Sequence, residues 1–405
     1  MFCAELPVAR AELAYRRANN PGWSTAAGPP TRFSVLSSVG SLKACAPLWR
    51  ELEDSAGTSA GPFQSYDWCS TWLLHALRSG QACRPFIIAA YSGCRLVLLW
   101  PMMVTPMAGL RVLRWLSDPW SQYGDVLVGA DHDAAGLMAS VIELIKESRA
   151  ADAIWLRHVR ADAAARPYLE AGFDRIGHYA GAPFMDLTQF STETEYLARY
   201  DKPQRKRRKQ IRRVLEERGG ALSFEVHSQG SAFIRGISDA IPQKRRWLSQ
   251  RGLVSRPIFS SWTESFLLAL ATDTAGRLKP VCSILKTGDR AVSYEIGLRY
   301  GDRHYCFITA HDVAMTNDSP ARLHMDFAQR SALNEGCKVF DLMVPLAPHK
   351  ASWSSGHVAA GDYWLPLSPG GRLAGALFKT LRPPAQALYH RTPETLRRAA
   401  RALIG

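Results

Sequence analysis

VCSILKTGDRAVSYEIGLRYGDRHYCFITAHD, residues 281–312, reads as a meander of three β-strands, broken at Thr287-Gly288-Asp289 and at Gly301-Asp302. It runs on through the turn Asn317-Asp318-Ser319-Pro320 into a helix, SPARLHMDFAQRSALNEG, which Gly336 stops. KVFDLMV, residues 338–344, is the next strand, and a basic-aromatic tail ends at Trp353. A strand whose end splays open exposes backbone donors. The start of the following helix adds unpaired N–H groups and a partial positive charge. Such a unit suits an anion the size of a pyrophosphate. Arg322 stands in the first turn, where it opposes the helix dipole. That placement costs helix stability but suits a phosphate. The plain structural alternative is Ser319 as an N-cap with proline at the first helical position.

Working outward, the second half opens with TETEYLARYDKPQRKRRKQIRRVLEERGG, a basic helical stretch with a break expected at Pro203. A strand (ALSFEVH) and two helices (SAFIRGISDAIPQKRRWLSQRG and TESFLLALATDTAG) lead into the meander. The first half shows a similar order from Arg32, with a hairpin turning at Ser92-Gly93, and helix alternating with strand up to APFMDL. Mixed sheets flanked by helices are the α/β class. The pattern restarts near Leu187–Thr194. It divides the chain into a loose tail (1–31), a first domain (32–190), a second domain (191–365) and a basic helical extension (366–405) whose last helix opens at Thr392. Packing of that extension on the domain is the expectation, with contact to a membrane surface as the alternative.

The 405 residues, 47% apolar and 21% charged, describe an ordinary globular protein. No apolar run is long enough for a spanning helix, and the N-terminus lacks the apolar region of a secretory signal. Eight cysteines without CxxC spacing read as buried free thiols in a reducing cytoplasm. Residues 1–190 carry 17 basic and 17 acidic side chains, but residues 191–405 carry 33 and 19, so the whole net charge of +14 lies in the second half. An anionic ligand or surface is expected there.

Glu295 sits mid-strand in AVSYEIGL, on the face of Ser293 and Gly297, and is the first candidate for a general base. Asp312 follows the third strand and either binds an amine or caps a loop. Asp341, between Phe340 and Leu342, must be paired or functional if its strand is central, and Lys350 is a candidate partner. Nine Lys or Arg fall between Arg199 and Arg213, Arg208 and Arg212 among them. They surround the helix axis, have no interleaved aromatics for base stacking, and accompany no nucleic-acid motif. No GxSxG, HExxH or zinc spacing occurs, so nucleophile and metal chemistry find no support.

Ser319-Pro320, Gly336, Asp341, Lys350 and Trp353, with the Arg-rich helix and the segment KRRWLSQRG, resemble the acyltransferase domain of the CelD-like branch of the GNAT superfamily, which is related to the Fem-type transferases. The resemblance runs from about Arg32 to Trp364. It implies tandem GNAT-like domains and transfer of an acyl group, most simply acetyl, from an acyl-coenzyme A to an amine, without a metal. The acceptor it suggests is an amino sugar or its lipid-linked form in polysaccharide assembly. Taken with the residue readings above, the expected donor-binding residues are Ser319, Ala321, Arg322, Arg208 and Arg212, and the expected catalytic residues are Glu295, Asp312, Asp341 and Lys350. Ala321 stands where the family has glycine, no Q/RxxGxG/A loop is present, and Pro345 and Pro348 follow the last strand. Two other readings stay open. One is a degenerate scaffold whose basic helix docks RNA or an anionic membrane, and the other is a Fem-like enzyme fed by aminoacyl-tRNA. The expected location is cytoplasmic, with a peripheral place at the inner membrane face as an option.

Overall fold

The computed structural model describes residues 31–56, 61–272 and 276–392. The expected tail over residues 1–30, Cys3, and the body of the last helix beyond Thr392 lie outside them. The chain forms two compact units: residues 31–180 with 359–385, and residues 181–358. Both are mixed α/β, the class read from the sequence.

In the first unit, β1 (Thr31–Leu36), β3 (Ile87–Ser92), β4 (Arg95–Trp100) and β7 (Leu127–Val128) form an antiparallel sheet in the order β1-β3-β4-β7. A second sheet is built from β2 (Arg84–Pro85), β5 (Met102–Met107), β6 (Leu110–Trp115) and β8 (Ala153–Arg160), with β6 and β8 parallel. Helices α1 (Val39–Ser55), α2 (Tyr66–Arg78), α3 (Ala134–Ser148) and α4 (Arg166–Gly172) cover these layers. Ser38, Ser65 and Asp133 cap α1, α2 and α3 by accepting backbone N–H bonds. The strand β9 (Asp174–Asp186) carries the chain onward.

In the second unit, helices α5 (Glu193–Ala198) and α6 (Lys202–Gly219) precede β10 (Leu222–His227). The break expected at Pro203 falls two residues earlier. Asp201 caps α6 in a capping box with Gln204, and Pro203 sits in the first turn, where its missing N–H costs nothing. Helices α7 (Gly230–Gln250), α8 (Arg256–Phe259) and α9 (Thr263–Leu270) follow. Then come the meander β11 (Lys279–Thr287), β12 (Arg290–Tyr300) and β13 (Arg303–His311), the helix α10 (Pro320–Asn334), β14 (Val339–Asp341) and the short α11 (Pro348–Ala351). The last strand, β15 (Gly356–Pro366), leads to α12 (Pro369–Arg391), and its residues 360–366 pair with β8.

The sheet order here is β10-β11-β12-β13-β14, with β9 beside β14. All neighbours are antiparallel except β13 and β14, which α10 joins as a parallel crossover. Helix α7 lies on one face, where Gly236 admits Cys282: a Cβ at Gly236 would come within 2.6 Å of the sulfur. On the other face, α10 places His324 against Ser283 and Ala328 in a buried cluster with Phe340 and Trp353.

Candidate active site

The parallel pair is where the sheet opens. β13 and β14 register at only three positions: Arg303 with Val339, His304 with Phe340, and Tyr305 with Asp341. β13 then runs on to His311, while β14 ends at Asp341 and its backbone turns away. The turn is fixed by Asp341, fully buried, which accepts the N–H of Met343 at 2.8 Å, and Met343 has a left-handed φ of 61°. The strand expected over residues 338–344 is therefore only three residues long, because the backbone is diverted to leave a splay.

Above the splay, α10 begins without a conventional cap. Ser319 occupies the N-cap position in a left-handed conformation (φ 56°), and its side chain bonds none of the helix N–H groups. Pro320 contributes no donor, and Arg322 N–H turns back to the Ser319 carbonyl at 3.0 Å. The serine cap considered in the sequence is thus absent, and the first turn of α10 keeps the electrostatic character that favours an anion.

A cleft of about 200 Å³ lies between this turn and the basic helix, lined by Pro203, Gln204, Arg207, Arg208, Ile211, Arg322 and Trp353. Its floor is braced from α10, whose residues Arg322, Asp326, Gln329 and Arg330 recur at helical spacing along one side. Gln329 donates to the Trp353 carbonyl at 2.8 Å, and the Tyr200 hydroxyl donates to Asp326 at 2.6 Å. The Arg208 guanidinium is stacked 3.2 Å over Tyr200 and 4.8 Å from Trp353, with Asp326 at 3.5 Å. Arg322 has no ion pair or hydrogen bond for its side chain among the described residues. Its proton affinity is lowered, first by burial and then by the neighbouring Arg207 and Arg208. Three guanidinium groups gathered against mutual repulsion form a site for an anion. Of the expected donor-binding residues, Arg208 and Arg322 meet here, and Ser319 and Ala321 form the adjoining turn. Arg212 does not line the cleft; it extends along α6 to Glu216 at 3.5 Å.

A second group of cations reaches the splay. Lys350 donates to the carbonyls of Met343 (2.9 Å) and Val344 (3.4 Å), the residues that carry the diverted backbone. Burial lowers its pKa, while Cys306 and Asp341 act in the opposite sense. Lys244 of α7 was not singled out by the sequence. Its ammonium has no ion pair or hydrogen bond among the described residues and lies 4.7 Å over the Trp247 ring. Burial, with Lys350 and Arg251 nearby, pushes its pKa down to about 8. Arg251 covers the same ring at 4.4 Å, and His311, at the end of β13, meets it edge-on at 6.4 Å. His311 and His349 are both lowered, by burial first and then by these cations, so both are neutral near pH 7. The one sequence signal for Lys244 was its place within KRRWLSQRG.

The remaining acidic candidates are enclosed. Glu295 has no exposed surface. It accepts from His304 Nε2 at 2.7 Å and from the Ser283 hydroxyl at 2.9 Å, and that hydroxyl lies 2.8 Å from His324 Nε2. Because the serine proton goes to the carboxylate, His324 is the donor in this last contact. Burial opposes the charge on Glu295, but His304 and Ser283 outweigh it and hold the pKa below the ordinary value; burial pushes His324 down to about 4. Gly297 makes room for His304, whose ring would lie 2.5 Å from a Cβ there. The face of β12 read as a cleft face is therefore packed against α10. Asp312 accepts the N–H of Ala314 at 3.0 Å and pairs with Arg290, which places it in the loop after β13. Among the described residues no group of three metal-ligating side chains occurs.

Residues 204–351, the stretch that holds the splay and most of the cleft, match the family model described as an acetyltransferase (GNAT) domain. The structure is similar to that of FemX, with a TM-score of 0.56 at 11% identity, over 83% of this chain and 98% of that one. It is similar as well to the C-terminal domain of a putative lysylphosphatidylglycerol synthetase from Agrobacterium fabrum, with a TM-score of 0.51 at 14% identity, over 84% and 98%. A tandem GNAT protein from the clavulanic acid biosynthesis pathway aligns with a TM-score of 0.44 at 13% identity, over 84% and 98%. No curated protein matches the sequence. At these identities the structural likeness bears on the fold alone, and it is the family model that marks residues 204–351 as a GNAT-type domain.

Proposed function

We propose that the second unit is an N-acyltransferase that takes an acyl group, most simply acetyl, from an acyl-coenzyme A and delivers it to an amine. The observation that carries this reading is the coincidence of the β13/β14 splay, the uncapped first turn of α10, and the arginine cleft beside it. The residues fit such a donor. Arg322, Arg208 and Arg207 would hold its phosphates together with the backbone at Ser319 and Ala321, and the splay would receive the rest. Bound there, the donor supplies an acyl group activated as a thioester.

The chain's own residues then have three tasks. Lys244, with a pKa near 8, exists partly as the free amine at neutral pH and would accept the proton released by an incoming ammonium. Lys350 braces the backbone at Met343 and Val344 and adds positive charge beside the reacting carbonyl. Asp341 holds the turn that keeps the splay open. Glu295 acts through Ser283 and His324 by holding α10 to the sheet, and Asp312 anchors the loop that leads into it; both are positioning residues in this reading.

The acceptor we favour is an amino sugar of surface-polysaccharide assembly, following the CelD-like resemblance; a lipid-linked form would place the enzyme at the inner face of a membrane. An aminoacyl-tRNA donor is the second reading, supported by the fold likeness to FemX. Calorimetric titration with acetyl-coenzyme A tests the first. Micromolar binding that weakens by about ten-fold to a hundred-fold in Arg322→Ala is expected. Absence of binding by the wild-type protein, with transfer dependent on charged tRNA, would establish the second reading in its place.

A further inference from the structure

Helix α12 uses one side for packing and leaves another bare. On the inner side, Gly371 and Gly375 let the helix approach closely: a Cβ at Gly371 would lie 2.0 Å from the Asp152 carbonyl oxygen, and one at Gly375 would lie 2.6 Å from Trp364 Nε1. Trp364 Nε1 donates to the Gly371 carbonyl at 3.1 Å, and Phe378 stacks on Trp364 with centroids 5.7 Å apart. These contacts seat the first turns of the helix.

Leu373, Leu377 and Leu381 recur at i, i+4 and i+8 on a different side, 64%, 48% and 60% exposed. Seven large hydrophobic side chains are exposed among the described residues, and these are three of them. Their alignment on one helix is therefore a surface feature in its own right. Arg372 and Lys379 are exposed on the same helix. Residues 366–405 contain seven Arg or Lys and a single acidic residue, Glu394.

We propose that α12 is a docking helix for an anionic lipid bilayer. It would lie in the headgroup layer with the three leucines inserted and its basic residues against the lipid charge. Bare leucines alone would suit any apolar partner. The accompanying positive charge selects an anionic surface and disfavours a second copy of the chain, which would bring like charges together. Nucleic acid would meet the charge and have no use for the leucines. Among the described residues no helix is long and apolar enough to cross a membrane, so the attachment is one of lying on the surface. The proposal does not rest on acyl transfer, because lipid binding needs neither donor nor acceptor.

The test is flotation of the full chain with phosphatidylcholine vesicles that contain or lack phosphatidylserine. Binding about ten-fold tighter to the anionic vesicles is expected, weakening as salt is raised. The triple variant Leu373→Ser, Leu377→Ser, Leu381→Ser should lose about ten-fold or more of that binding. These side chains are exposed, so its melting temperature and its acetyl-coenzyme A titration should match the wild type. Three outcomes would overturn the proposal: no binding to anionic vesicles; binding that the triple variant retains in full, which would assign it to α6 or another basic surface; or a concentration-dependent dimer that the triple substitution dissolves.

Discussion

In the first unit, buried charge is answered on the spot. Asp118, 3% exposed, is met by Arg114 and Arg157, and both arginines also stack on Trp155. Asp125, with no exposed surface, accepts the N–H groups of Val126, Ala164 and Ala165. In the second unit, by contrast, Lys244 and Arg322 are drawn in beside other cations without an anion of their own among the described residues. Paired buried charge holds a fold together, whereas clustered like charge costs stability and is kept for what it binds. The difference supports the second unit as the seat of the proposed chemistry, and the net charge of the sequence lies there too.

The sharpest way to break this contrast is Lys244→Met. If Lys244 is the proton acceptor, kcat/KM should fall by about a hundred-fold. The melting temperature should rise by roughly a few degrees, since a desolvated ammonium is removed. In the wild type, kcat/KM should rise with pH through a value near 8, because the ammonium that prevails below it cannot take a proton. Lys244→Met should abolish that limb, and an unchanged profile would remove Lys244 from the chemistry.

Arg322→Ala should weaken acetyl-coenzyme A binding by about ten-fold to a hundred-fold, read by calorimetry, with little change in stability. Arg212→Ala, one helical turn from Arg208 but outside the cleft, should leave binding within about two-fold. Equal effects from the two would mean that overall charge, not the cleft, attracts the donor.

Glu295→Gln should cost about 2–4 kcal/mol in urea unfolding, because His304 would lose the carboxylate that faces it in a closed space. Donor affinity should change less than it does for Arg322→Ala. In the first unit, Asp118→Asn should cost about 3 kcal/mol and leave donor binding unchanged, as expected where charge is structural.

Local order was plain in the sequence where it depends on neighbours along the chain. The meander, its two turns and α10 follow from strand patterning, glycine turns and proline placement. Ser319-Pro320 marked the right turn, although the serine is left-handed and caps nothing, a backbone state that spacing alone does not reveal. Arg322 was read as a phosphate ligand from its place in the first helical turn and Arg208 from the basic run, and the cleft brings them together across more than a hundred residues of chain. Glu295 was read as facing a cleft because β alternation names a face but not what covers it; α10 covers it. Lys244 was passed over inside a run of basic residues, since only its position beside Cys306 and Lys350 separates it from Arg245 and Arg246.

By itself, the sequence determined the α/β class, the order of elements, the turn that opens α10, and the placement of positive charge in the second half. Those depend on periodicity, turn chemistry and composition, which act over a few residues. Tertiary structure alone decided where β13 and β14 part, which arginines share a cleft, that Glu295 is enclosed while Lys244 has no counter-ion among the described residues, and that α12 keeps a bare leucine stripe. Each of these depends on which distant segments exclude water from a side chain, and burial of that kind sets both the pKa of a group and its availability to a partner.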